Sequence, residues 1–223
     1  GRLNINQRGL KDRLNAQLNL ATNFNDANLL GGGGWEDQLI KNPTMSHYEP
    51  DGRWLFENTS TNQLARLHQE TNRRQQQTTS ADARISIEFI KGLKGSMFGS
   101  VQRNSTIDGE YRELASEFSQ ENDIFKGGGY ARRATSLGID YSFEPTIEYN
   151  TKIRTNHSVA AIGGYSYRYS FSENFSAFNY GFVNDIVREN NLNLGNQIQA
   201  GKAGMSSNKS DNTLIAFFGR VNY

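Results

Sequence analysis

The feature that most constrains the fold is a two-residue alternation that runs from Ser136 to Phe171. From 136 to 153 the odd positions are mostly apolar or aromatic, while the even positions are polar or charged. Side chains of a β-strand alternate between the two faces of its sheet, so this pattern predicts a strand with one apolar and one polar face. Four polar residues, Arg154–His157, interrupt the alternation before it resumes from 158 to 171. The stretch therefore predicts a long β-hairpin with a short turn.

The length of this hairpin indicates a membrane environment. Strands of soluble proteins mostly hold about 3–10 residues, and crossing a bilayer takes about 9–11 residues of a tilted strand. A long alternating hairpin is typical of a transmembrane β-barrel, whose apolar face contacts lipid and whose polar face lines the lumen. A mean hydropathy of -0.71 excludes transmembrane helices, but not membrane strands, because only alternate residues of a strand face lipid.

Alternation elsewhere in the chain predicts further strands. Leu14 to Phe24 shows the cleanest pattern outside the central hairpin, and shorter runs occur at both ends of the chain. We predict an all-β antiparallel transmembrane β-barrel segment of about seven strands from a larger barrel. The predicted strands, paired in sequence order, are 2–7, 13–24, 83–90, 93–103, 136–153, 158–171 and 213–223.

The connections between these strands alternate between short and long, as the short periplasmic turns and long extracellular loops of outer-membrane barrels do. In the first long segment, 63–77 has only weak helical spacing, so we expect a loop with a short helix at most. The short turns are Arg8–Asp12, Lys91–Leu93 and Arg154–His157, and the long segments are 25–82, 104–135 and 172–213.

No set of residues in the sequence predicts catalysis, a cofactor or a metal site. The absence of cysteine excludes thiolate ligands, and the three histidines are scattered without metal-ligand spacing, which indicates solvated loop residues. The glycine runs Gly31–Gly34 and Gly127–Gly129 lack the Lys-Ser/Thr ending of a phosphate-binding loop. Carboxylates four residues apart on one strand are separated by about 13 Å, beyond the roughly 5–9.5 Å of glycosidase pairs. A net charge of +1 gives no reason to expect nucleic acid.

The alternation also predicts which side chains face lipid and which face the lumen. Across the hairpin turn, register parity brings Glu144 opposite or diagonal to Arg168. Pro145 cannot donate a ladder hydrogen bond, so we expect a bulge or bend beside it, with the hairpin leaving the membrane there as a protruding ribbon. The aromatic residues near this level are interpreted as an interfacial girdle. Residues predicted to face lipid are Ile139, Ile147, Tyr149, Val159, Ala161, Tyr165 and Tyr167; the lumen-lining candidates are Asp140, Glu144, Glu148, Lys152 and Arg168.

Several short motifs, taken in their order along the whole chain, resemble the barrel of SusC/RagA-type TonB-dependent outer-membrane transporters. None of the motifs is decisive alone, but their order and spacing together are specific. They are the RLNxxLNL-like strand within Asp12–Leu20, Asn42-Pro43-Thr44 followed by Tyr48 and Asp51-Gly52-Arg53-Trp54, Ile90-Lys91-Gly92-Leu93, Glu148-Tyr149-Asn150 with Gly163–Tyr167, and Phe217–Tyr223.

This resemblance implies that residues 1–223 are part of one receptor β-barrel domain in the outer membrane, without the plug and N-terminal domains. It implies a non-enzymatic role in importing glycans or peptides together with a SusD-like surface lipoprotein. Further partners would be the rest of the barrel and plug, TonB through the missing N-terminal part, outer-membrane lipid, and the oligosaccharide or peptide substrate. The alternative is a soluble or surface-attached β-rich carbohydrate-binding or adhesin module, which detergent dependence would distinguish.

Overall fold

The computed structural model describes residues 1–29, 36, 39–56, 60–123, 126–153 and 157–223. The glycine run Gly31–Gly34 and the turn residues Arg154–Asn156 lie outside the described residues. Within the described ranges the chain forms one seven-stranded antiparallel sheet whose spatial order is the sequence order, which confirms the predicted fold class. The strands are β1 (Arg2–Gly9), β2 (Leu14–Asn28), β3 (Glu70–Ile90), β4 (Leu93–Arg112), β5 (Gly129–Ile153), β6 (His157–Phe182) and β7 (Gly204–Asn222).

The long connections carry the remaining elements. They contain two short helices, α1 (Gln63–Gln69) and α2 (Glu117–Glu121), and the 3-10 turns Arg188–Asn190 and Leu192–Leu194. The expected short helix in the first long segment is therefore present. No helix in the described part of the chain is both long enough and apolar enough to cross a membrane.

The strands extend well beyond their predicted ends on the long-loop side. The interpretation of 70–82 as loop is wrong, because β3 begins at Glu70, directly after α1. Both faces of the sheet are polar in this region, so no apolar alternation marks the strand. Cross-strand ion pairs occupy both faces instead, with Arg73 bound to Asp26 on one face and Arg74 to Asp108 on the other. The same correction applies to 104–112, 129–135, 172–182 and 204–212.

The register sorts the side chains into two faces, which we call the outer face, carrying Ile147, and the inner face, carrying Glu148. Over the turn-proximal part of the strands the outer face is apolar, and these side chains stay largely exposed; Phe217, for example, is 81% exposed. A continuous row of this apolar band runs across five strands. Its members, matched in register, are Leu20, Ala81, Val101, Tyr141 and Tyr169.

The short turns use unusual backbone conformations. Leu10, Lys11 and Asp12 all have positive φ, of 53°, 57° and 67°, which lets β1 reverse tightly into β2. Gly92, with φ of 85°, reverses β3 into β4, and a Cβ there would lie 2.1 Å from the carbonyl oxygen of Asn150. Only glycine fits this close approach, which explains the residue type at that turn.

Pro145 does not create the expected bulge. The β5–β6 ladder lacks pairs at Glu144 and Pro145, but the same register holds on both sides, from Phe143 opposite Tyr167 to Thr146 opposite Gly164. No extra residue is inserted, so the missing N–H of proline removes ladder pairing locally without shifting the strands.

The buried residues lie at the far end of the strands, beneath the long connections. Tyr111, Ala131 and Phe182 form a small core, with Leu114 and Leu192 packed against it. The packed core of the described residues thus lies at the loop end, while many side chains of the apolar band stay exposed.

Candidate functional site

The inner face of the sheet carries all five predicted lumen-lining residues. Two of them are in contact: Arg168 Nη2 lies 3.0 Å from Glu144 Oε1, and Ser166 donates to the same oxygen at 3.1 Å. Ser142 is directly opposite Arg168, so Glu144 is its diagonal neighbour, which is one of the two predicted arrangements. The Arg168 and Glu144 side chains are 63% and 31% exposed, so water solvates the ion pair and it contributes about 0–1 kcal/mol to stability.

The other three candidates line the same face without forming a cluster. Asp140 accepts a hydrogen bond from Ser170 at 2.6 Å. Glu148 is opposite Lys94 in the register, and Lys152 is opposite Ser158. Neither Glu148 nor Lys152 forms an ion pair within the described residues. The predicted set is thus a polar wall, with its one close charge pair at Glu144 and Arg168.

Farther from the short turns, the inner face forms an open groove that sequence reasoning missed. One row of the sheet provides its base, with Ala134, Ser176 and Ser206 in register, and the two serine hydroxyls hydrogen-bonded at 2.9 Å. These small side chains leave a cavity of about 350 Å³ between larger neighbours. Its polar lining includes Arg74, Asp108, Arg132, Ser136, Asn174 and Asn208.

Two carboxylates around this groove each bind an arginine, and one further arginine has no carboxylate partner among the described residues. Arg74 binds Asp108 through two hydrogen bonds of 2.7 and 2.8 Å. Glu110 lies opposite Arg132 in the register, but its carboxylate accepts from Arg112 at 2.9 Å. Arg132, which is half-buried, has no carboxylate within ion-pair distance among the described residues.

Next to the groove, Arg112 joins an aromatic cluster on the inner face. Its guanidinium carbon lies 3.9 Å from the centroid of Phe118 and 5.4 Å from that of Tyr130. Tyr130 packs on Tyr180 at 4.9 Å between centroids, and Tyr180 packs in turn on Phe178. Planar cation and ring contacts of this kind hold Phe118 of α2 against the sheet.

Asn62 ties the first two long connections together. Its side-chain oxygen accepts from the Ala65 N–H and so caps α1, while its amide donates to the carbonyls of His47 and Leu55 at 2.8 and 3.0 Å. Its own N–H donates to the buried carboxylate of Glu117 in the next connection, at 3.3 Å. Burial raises the pKa of Glu117 above its usual range.

The Asn-Pro-Thr and Asp-Gly-x-Trp motifs build the outer part of this loop. Trp54 stacks on Tyr48 at 4.6 Å and on His68 of α1 at 5.4 Å between ring centroids. Trp54 thus packs the loop against α1. Asp51 accepts from the Arg53 backbone and side chain, and Gly52 has φ of 85°, which closes the turn between the two stacked rings. The motif thus has a structural role, which explains its residue spacing.

The third long connection is fastened through Asp185. Its carboxylate accepts from the Tyr111 hydroxyl at 2.6 Å and from the Leu114 N–H at 3.1 Å. Glu113 lies 3.4 Å from Arg188, yet its pKa is raised, first by burial and then by the neighbouring Asp185 charge. Two long connections are therefore joined at this end of β4.

The histidines do not all behave as solvated loop residues. His47 contacts Asn62 at 3.3 Å, His68 stacks on Trp54, and His157 hydrogen-bonds Tyr223. The described residues contain no group of three His, Asp or Glu side chains placed to hold a metal ion.

Comparisons with known proteins agree with this geometry. No established family profile matches the chain. A stretch of 96 residues is 31% identical to TonB-dependent receptor P26 of Formosa agariphila, covering 43% of this chain and 9% of that receptor. Structures of the RagAB peptide importer in the closed-closed state and of the RagAB peptide transporter match over the whole chain, with TM-scores of 0.78 and 0.76 and identities of 18% and 19%. The chain spans 25% of each of these solved chains.

The fold is therefore that of part of an outer-membrane β-barrel like those in the RagAB structures, and a stretch of the chain is similar in sequence to a TonB-dependent receptor. Both likenesses confirm the resemblance to SusC/RagA-type barrels that the sequence motifs indicate.

Proposed function

We propose that the chain forms part of the channel wall of a TonB-dependent transporter that imports oligopeptides or glycans. The two-faced sheet carries this proposal: an exposed apolar band on the outer face lies back to back with a ladder of carboxylates, guanidiniums, hydroxyls and amides on the inner face. A lipid-facing wall around a wet lumen requires this arrangement. Residues 1–223 would then lie within one barrel domain.

The inner face suits a polar, uncharged or weakly charged chain-like substrate. It alternates donors and acceptors along the strands, as at Ser100 with Ser142 and at Thr78 with Asn104, rather than concentrating one charge. Peptide bonds and sugar hydroxyls both match such a surface. The likeness to the RagAB peptide importer supports peptides as the first class to test.

The partners proposed are those of the importer class. A SusD-like lipoprotein would cover the loop end, where the three long connections are fastened into a packed layer by Asn62, Glu117 and Asp185. TonB would act through the plug of the complete receptor. The proposed lumenal roles of Asp140 and Arg168 belong to this same channel.

The test is uptake by the receptor that contains this segment, in its own outer membrane. Labelled oligopeptides and oligosaccharides are offered to the parent strain, to a receptor deletion, and to cells whose proton gradient is collapsed. We expect receptor-dependent, energy-dependent uptake of one class and fractionation of the receptor with the outer membrane. Equal uptake in the deletion strain, or a receptor that is monodisperse in buffer without detergent, would contradict the proposal.

The apolar band disfavours the carbohydrate-binding or adhesin alternative. Outward-facing Ile147, Ile215 and Phe217 are each more than half exposed, and Phe217 and Ile215 of β7 lie in register with Tyr165 and Tyr167 of β6. A contiguous apolar surface of this extent on a soluble module would favour aggregation.

A further inference from the structure

We propose that the groove on the inner face is a subsite for a carboxylate of the transported substrate, held by Arg132. This inference rests on the proposed transport function and assigns one chemical group of the substrate to one place on the wall. The groove is the cavity of about 350 Å³ over Ala134, Ser176 and Ser206.

The charge balance of the groove leaves one cation unmatched. Asp108 is engaged by Arg74 through both carboxylate oxygens, and Glu110 is engaged by Arg112. Each nearby carboxylate thus has its own arginine, while Arg132 has none among the described residues. Because arginine stays protonated at any physiological pH, the groove presents a lasting positive charge toward the lumen.

The lining can complete the coordination of a carboxylate. A guanidinium binds a carboxylate through two parallel hydrogen bonds, and the oxygens accept further bonds from hydroxyl or amide donors. Ser136, Asn174 and Asn208 supply such donors at the same cavity. Ala134, the small residue between Arg132 and Ser136 on this face of β5, leaves the space for the ligand.

The position of the groove places it on the path of an incoming substrate. Ser136 lies about 56 Å along β5 from Ile153 at ~3.3 Å per residue, which is about 40 Å of height for a strand tilted by about 45°. This exceeds the apolar band of about 25 Å in outer-membrane barrels. The subsite therefore lies in the extracellular vestibule, where a carboxylate would be engaged before the substrate enters the membrane-embedded channel.

Binding of defined probes to the purified complete receptor in detergent tests the assignment. Two probe pairs separate the sources of a carboxylate: an N-acetylated oligopeptide with a free C-terminus against its C-terminal amide, and an oligogalacturonate against its methyl ester. We expect the acidic member of one pair to bind more tightly than its neutral partner. Arg132→Gln should weaken that acidic probe by about tenfold or more and leave the neutral partner unchanged.

Two further variants serve as controls: one removes a positive charge outside the groove, and the other is expected to change the affinity in the opposite direction. Arg133 is the next residue, lies on the outer face and contacts Asn190 at 3.3 Å, so Arg133→Gln removes the same charge from the chain without touching the groove. Asp108→Asn frees Arg74 and should tighten binding of the acidic probe, an effect that a damaged structure would not produce.

The outcomes separate this inference from the proposed function. A preference for the peptide acid assigns the C-terminal carboxylate of a peptide, and a preference for the galacturonate assigns a uronic acid. If the receptor binds and imports substrate but distinguishes neither acid from its neutral partner, or if Arg132→Gln and Arg133→Gln behave alike, the carboxylate subsite is wrong while the transporter stands. A receptor that imports neither class overturns the proposed function itself.

Discussion

A single charge placed on the outer face tests the orientation of the whole sheet. Ala161 lies on that face in register with Tyr149 and Val221, inside the apolar band. It follows His157, the first residue of β6, by about 13 Å of strand at ~3.3 Å per residue. At a tilt of about 45° this is roughly 10 Å of height, close to the middle of an apolar band of about 25 Å. Ala161→Arg therefore places a guanidinium near the bilayer midplane.

The expected cost follows from that depth. Arginine on the lipid face of a barrel costs about 2–4 kcal/mol at the midplane and about 0–1 kcal/mol near the interfaces. Ala161→Met introduces similar bulk without charge and should be nearly neutral. Ala160→Arg adds the same charge one residue away on the inner face, opposite Asn150 and Asn222, where water or polar groups receive it.

The assay is equilibrium unfolding of the receptor barrel in lipid vesicles by guanidinium chloride, with the same vesicles for all variants. We expect Ala161→Arg to lower the free energy of unfolding by at least about 2 kcal/mol relative to Ala161→Met, with Ala160→Arg close to the parent. If the two arginine variants lose equal stability, or if Ala160→Arg loses more, the assignment of the outer face to lipid is refuted.

Three other outcomes follow from the contacts at the inner face and the loops. Asn62→Ala removes a helix cap and two loop hydrogen bonds, so residues 47–56 should lose protection in hydrogen exchange by about 2 kcal/mol, while β5 stays unchanged. Glu144→Gln and Arg168→Gln should each change stability by less than about 1 kcal/mol, and unchanged uptake at normal expression would remove a substrate role for the pair. Because burial raises the pKa of Glu117, this residue contributes most to stability below its pKa in the unfolded chain, and the contribution is lost as pH rises through its pKa in the folded chain. Protection of the loop against hydrogen exchange should therefore increase on acidification. Exchange measured at pH 4 and pH 7 should show a smaller pH dependence for Glu117→Gln.

The turn-proximal part of the fold could be predicted because apolar and polar residues alternate along its strands. From 136 to 153 nearly every second residue is apolar, which is the pattern expected of strands with one face toward lipid and one toward water. The same parity rule predicted that Glu144 and Arg168 share a face and lie within reach. Strand order and the sets of residues that share a face both follow from this local information.

The ends of the strands on the long-loop side lack such a pattern because both of their faces are polar. At Arg73 and Arg74, consecutive arginines point to opposite faces and are held by Asp26 and Asp108 on two different strands. Which carboxylate pairs with which arginine depends on the register across three strands, and β-propensity is weak for runs such as Gln75–Gln77. The local sequence of these segments therefore predicts loops.

The groove could not be found from sequence because its chemistry depends on which partners are already taken. Arg132 is one of two adjacent arginines, and nothing in its local sequence distinguishes it from Arg133. The difference arises only when the sheet is assembled. Glu110 is then opposite Arg132 but bound to Arg112, and Asp108 is bound to Arg74. Which arginine has no carboxylate partner depends on the register of several strands together. Arg132 can therefore be identified as the residue proposed to hold substrate only after the ion pairs of its neighbours are known.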